Sequence, residues 1–136
     1  PVLRVPETKA AWDAQARTLR EGLLEEVVHR GAAKTWRTQP LRVERFDVLQ
    51  GDGYIVRKIR FEAVPGLHVP ALIYEPMPAP SSPTPVVLNF NGHEGTGLGN
   101  SYHQARCINL AKNGLYAINV EWIGMTQLAT EGQQHY

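Results

Sequence analysis

The strongest constraint on this chain lies between Pro85 and Trp122, in PVVLNFNGHEGTGLGNSYHQARCINLAKNGLYAINVEW. A short run rich in β-branched residues, VVLNF, leads into a Gly-rich loop. Apolar residues at helical spacing follow over 101–113, with Ala105, Ile108 and Ala111 joined by Cys107 and Leu110. Gly114 is placed to end that helix, and LYAINVEW reads as a second strand. Two strands separated by one helix cannot form a hairpin. They pair in parallel through a right-handed crossover. VVLNF is expected to be a strand buried on both faces. Ligands of such sheets bind beyond the carboxyl ends of the strands, which is where residues 91–100 fall.

The residues before this unit follow a different pattern. Thr8 is a plausible N-cap, and Trp12, Ala16, Leu19, Leu23 and Val27 recur every three or four positions on one helical face. Gly31 marks the stop. LRVERFDVLQ alternates imperfectly, with Val43, then Arg45 or Phe46, then Val48, and is expected to be a strand. GDG at 51–53 signals a tight turn into YIVRKIRFEAV, whose cationic positions face water. PG at 65–66 turns the chain again into LHVPALIYEP, where Pro70 favours an edge position or a bulge. Residues 43–75 thus form an antiparallel meander. PMPAPSSPTP is too rich in Pro and Ser for either regular element and reads as a surface loop. The expected division is a helical segment over 1–42 and a sheet-bearing segment over 43–136.

Composition narrows the function classes. With 136 residues, 43% hydrophobic and 20% charged, the chain suits one globular unit and disfavours disorder. Basic residues are scattered among acids with a net charge of +1, so no nucleic-acid partner is expected. No apolar run reaches the roughly 18 residues of a membrane span, so no membrane partner is expected either. A single cysteine, Cys107, excludes an internal disulfide and a cysteine-based zinc site. H-E-x-x-H is absent around His93, Glu94 and His103, so no metal or cofactor is expected. The compartment stays open, with a secreted or periplasmic one preferred.

Three readings compete for the loop. Gly92, Gly95, Gly97 and Gly99 let the backbone approach a ligand at a helix N-terminus, which suits an anion. One reading is a nucleotide cradle, although Gly95, Gly97 and Gly99 run G-x-G-x-G instead of G-x-G-x-x-G, with Glu121 as the acid after the next strand. The second is half of an oxyanion hole, with backbone N–H groups aimed at a developing alkoxide. In the third the glycines only permit a sharp strand-to-helix connection.

From Val43 to Tyr136 the chain resembles α/β-hydrolases of the acetyl xylan esterase and dienelactone-hydrolase-like group. The resemblance is carried by VPALIYEP, by PVVLNFNGHEG where that group often has H-G-x-x-G, by YHQARCINLAKNGLYAINVEW, and by EWIGM at an acid-x-x-Gly turn. Asn91 stands where the group commonly has His. The resemblance implies an incomplete α/β-hydrolase fold, with antiparallel strands leading into a parallel sheet flanked by helices in three layers. It implies a serine carboxylic-ester hydrolase acting on a small-molecule or carbohydrate ester, with a prolyl-oligopeptidase-type peptidase as its nearest alternative. Carried over by position, the oxyanion donor is the backbone N–H of His93, with that of Glu94 next in line. Asn91, Gly92, Glu121 and Trp122 would line the substrate site.

The nucleophile of that fold sits in G-x-S-x-G, with its acid and His later in the chain. Only Ser81, Ser82 and Ser101 are present, none in that motif, and Ser101 reads as a helix N-cap. The expectation is an N-terminal piece whose partner is the remainder of the same hydrolase domain, inactive on its own.

Overall fold

The computed structural model describes residues 4–92 and 94–129. The chain divides into two compact units, Pro1–Pro40 and Leu41–Tyr136. In the first, α1 spans Lys9–Leu23, and the Thr8 hydroxyl accepts from the Ala11 N–H at 3.3 Å, which makes Thr8 the cap. The helix then widens over Leu24–Val28, where the His29 N–H reaches back five residues to the Leu24 carbonyl. Gly31, at φ +68°, breaks the path, and a 3₁₀ segment follows over Gly31–Thr38. Leu19 and Leu23 of α1 and Val27 of the widened segment stand in the open, 50%, 55% and 66% exposed. Among the described residues, no helix is long and apolar enough to cross a membrane.

The second unit is a five-stranded mixed sheet built from β1 (Val43–Gly51), β2 (Tyr54–Val64), β3 (Leu67–Pro76), β4 (Val86–Phe90) and β5 (Tyr116–Val120). Their order in the sheet is β1-β2-β3-β5-β4. The first three form the antiparallel meander, closed by two tight turns at Gly53 (φ +78°) and Gly66 (φ +83°). At both glycines a side chain would be strained by the left-handed backbone. A register shift between Arg45 and Val48 explains why alternation blurs at Phe46 and Asp47. Arg57 pairs with Glu75 and Arg60 with Glu44, both at 2.6 Å across neighbouring strands, so two of the cations of β2 are held at the surface as salt bridges. Such exposed pairs contribute about 0–1 kcal/mol each.

Pro70 corrects one expectation, because it lies in β3, a strand paired on both sides. The β5 ladder runs only from Ala71 to Tyr74 on β3, so Pro70 falls past its end. Its carbonyl there accepts from the Glu121 N–H at 3.0 Å, and the donor that proline lacks would have pointed at the same uncommitted side.

β4 and β5 pair in parallel with no shift, Val86 opposite Tyr116 through Phe90 opposite Val120. Between them α2 spans Ser101–Lys112 and packs on β5, β3 and β2. Two details of this unit differ from expectation. The cap of α2 is Asn100, whose side chain accepts from the Tyr102 N–H at 2.9 Å, and Ser101 is the first helical residue. β4 is also not buried on both faces. As the outer strand it is covered on one side only, which leaves Val86, Leu88 and Phe90 54–61% exposed.

The core lies between sheet and helix, where Val56, Tyr74, Cys107, Ala111 and Ala117 meet. Two alanines, 1% and 0% exposed, let α2 approach β5 closely. Tyr74, 2% exposed, is the largest fully buried side chain and packs near Tyr54, ring centres 6.5 Å apart. Burial, then Cys107 and Tyr54, pushes its phenol up to about 12 from the ordinary 10. The unfolded chain therefore loses this proton before the folded one does, and stability falls as pH rises from about 10 to 12. A Tyr74→Phe variant should show a shallower alkaline decline in thermal melts taken across that window. An identical decline in both proteins would contradict the assignment.

Candidate functional site

The loop 91–100 leaves β4 at the carboxyl end of the parallel pair and is anchored there by Asn91. That side chain is 3% exposed, and its Nδ2 donates to the Val120 carbonyl at 3.2 Å, tying the loop's first residue to the end of β5. An asparagine does this without a charge.

After that anchor the loop coils on itself. The Glu94 N–H donates to the Gly92 carbonyl at 2.9 Å and Gly97 N–H to the Glu94 carbonyl at 2.8 Å. Gly99 N–H donates to Thr96 at 2.9 Å and Asn100 N–H to Gly97 at 3.1 Å. Leu98 N–H donates to a carboxylate oxygen of Glu121 at 3.3 Å. Glu94 contributes its own side chain to the scaffold, accepting from Asn100 Nδ2 at 3.2 Å. The supply of free amides is thus much smaller than the glycine count suggests. As folded, Glu94 offers its N–H to Gly92 and has none for a substrate. Among the described residues, the N–H groups of Gly92, Gly95 and Thr96 meet no acceptor. His93, the position favoured as oxyanion donor, lies outside the described residues.

Only one of the four loop glycines is required by its surroundings. Gly97 is buried, has φ +50°, and turns its α-carbon onto Glu121. Gly92, Gly95 and Gly99 face open space.

On the other side of the site, β5 ends at Val120 and Glu121 follows at 5% exposure. Trp122 comes next, 39% exposed. The chain then turns through Gly124 (φ +84°) and Thr126 (φ +36°), with Met125 buried below. A groove of about 630 Å³ opens beside α2, with Leu98 and Gly99 of the loop on its wall and Val56, Leu72 and Tyr74 on its floor.

Two α2 side chains bear on the choice of chemistry. His103 is 5% exposed because it shares the inner face of α2 with Cys107 and Ala111 at four-residue intervals. Cys107 is fully buried and burial raises its thiol pKa, which disqualifies it as a nucleophile. Among the described residues, no three His, Cys, Asp or Glu side chains are grouped to hold a metal ion.

Neither protein-family models nor curated protein sequences match this chain. Solved structures do. A methylesterase superposes with a TM-score of 0.68 at 22% identity over 91% of the chain. A Bacteroides fragilis protein assigned as an acetyl xylan esterase reaches 0.71 at 15% identity over 98%. This is part of the α/β-hydrolase fold. A third structure, the acetyl xylan esterase of Paenibacillus sp. R4, gives a TM-score of 0.51 at 15% identity over 92% of the chain. The chain spans 27%, 36% and 34% of these three structures, about a third of their length. The mixed sheet with antiparallel strands leading into a parallel pair is the arrangement that the resemblance implied.

Proposed function

We propose that these residues are the front of a serine carboxylic-ester hydrolase of the acetyl xylan esterase kind. The observation that carries the reading is the likeness in fold to esterases over 91–98% of the chain. In this reading the chain supplies the outer strands, the first strand–helix–strand unit and one side of the oxyanion hole. The remainder of the domain supplies the serine, its acid and its histidine. The donor, assigned by the position that the resemblance implies, is the His93 N–H; the amides of Gly97, Leu98 and Gly99 are engaged internally. Trp122 and the exposed Gly92 flank the place where an acyl group would sit.

The same engaged amides argue against a nucleotide cradle. A phosphate at the 97–99 turn would find its donors taken and the Glu121 carboxylate directly beneath them, and like charges at that range repel.

The reading is tested with a short-chain acyl nitrophenyl ester. The 136-residue chain should show no turnover above background, because no serine lies in G-x-S-x-G. A polypeptide extended through a downstream G-x-S-x-G should hydrolyse acetyl and butyryl esters, and a prolyl peptide substrate assayed beside them separates an esterase from a peptidase. An extended, folded protein with an intact serine elbow that cleaves none of these substrates would remove the proposal.

A further inference from the structure

The geometry points to Glu121 as the positioning residue of this site. Both of its oxygens are already engaged. One accepts from the Leu98 N–H at 3.3 Å and from the Thr126 hydroxyl, and the other from the Trp122 N–H at 3.1 Å. Its own N–H donates to the Pro70 carbonyl at 3.0 Å. One residue thereby joins β3, the loop before α2 and the loop after β5.

Three features make this more than incidental packing. First, a buried carboxylate is expensive, and among the described residues no Lys, Arg or His forms a salt bridge with Glu121. Its charge is instead held by fixed donors, and hydrogen bonds to an ionised acceptor are roughly twice as strong as neutral ones. Second, a Cβ on Gly97 would lie 2.6 Å from one carboxylate oxygen and 2.8 Å from Cδ, so the loop can approach this closely only with glycine there. Third, Thr126 is the single described non-glycine residue with positive φ, at 36°, and its hydroxyl is bound to the same carboxylate. Two backbone exceptions on different loops converge on one side chain. Glu121 therefore sets the separation of the two loops that border the open end of the sheet, and acts on any substrate only through them. The inference rests on the ester-hydrolase reading for what those loops receive, and not for the coupling itself.

Amide exchange followed by NMR on the 136-residue chain tests the coupling without any assay of activity. In the unaltered protein Leu98 and Trp122 should be protected relative to Gly95. In Glu121→Gln, an NH₂ replaces one acceptor, and both amides should exchange about tenfold faster, while Val56, Tyr74 and Ala117 keep their rates. Thr126→Val removes one contact and keeps the carboxylate, so it provides the same readout if the first variant does not fold. Gly97→Ala should loosen Leu98, and the double variant with Glu121→Asp, whose shorter side chain withdraws the carboxylate, should recover part of that protection. Recovery would not follow from a general loss of stability, because two destabilising changes at independent sites add. Unchanged Leu98 and Trp122 exchange in the folded Glu121→Gln or Thr126→Val protein would overturn the proposal. If exchange responds as stated while the extended protein cleaves no ester, the positioning role stands and the hydrolase reading falls.

Discussion

A Gly97→Val variant is expected to melt far below the unaltered protein. Gly97 sits at φ +50°, where a β-branched side chain costs roughly 1–2 kcal/mol in backbone strain. Its Cβ would also drive into the Glu121 carboxylate, and forcing a group into a filled site adds about 1–3 kcal/mol. The carboxylate cannot simply step aside, because it is held by Leu98, Trp122 and Thr126. A loss of about 2–5 kcal/mol lowers the midpoint of a domain this size by roughly 10 °C or more. Gly95→Ala is the control. Nothing lies within 4 Å of a Cβ there and its backbone is outside the left-handed region, so its effect should stay within about 0.5 kcal/mol. Thermal unfolding of both variants decides the matter. Equal melting temperatures would show that the 97–99 turn is not built as described.

Tyr74→Ala is expected to be as damaging for a different reason. Tyr74 is the largest fully buried side chain and fills the space between Val56 on β2, Ala117 on β5 and the Cys107–Ala111 face of α2. The fully buried residues around it, Cys107, Ala111 and Ala117, are small and cannot expand into the void. Truncating a buried aromatic ring costs about 3–5 kcal/mol. Against a typical total of about 5–15 kcal/mol, that is enough to leave a large unfolded fraction at moderate temperature. Urea unfolding followed by circular dichroism should show the midpoint falling sharply with little change in slope. Tyr74→Phe keeps the ring and should retain most of the stability at neutral pH. A midpoint for Tyr74→Ala close to that of Tyr74→Phe would mean that the core lies elsewhere.

The contrast among the loop glycines shows where local reasoning stops. Gly92, Gly95, Gly97 and Gly99 look equivalent in the chain, yet only Gly97 is pressed against another side chain, and that side chain comes from 24 residues further on. The loop's amides have the same history. Counting glycines suggests an open cup, but the hydrogen bonds of Glu94, Gly97, Gly99 and Asn100 are local turns that close as soon as the chain bends. His103 is a related case: helical spacing puts it on the face of Cys107 and Ala111, and packing there outweighs its polarity.

Signals that act over a few residues were readable from the chain alone, because backbone sterics and side-chain capping are short-ranged. Thr8 starts its helix, Gly53 and Gly66 make their turns, and an intervening helix forces β4 and β5 into parallel pairing. The placement of Pro70 within the sheet, the open outer face of β4 and the convergence of Leu98, Trp122 and Thr126 on Glu121 depended on the tertiary structure. Each of these is settled by which strand ends beside which, and that follows from the summed burial of the whole sheet, to which no single stretch of residues has access.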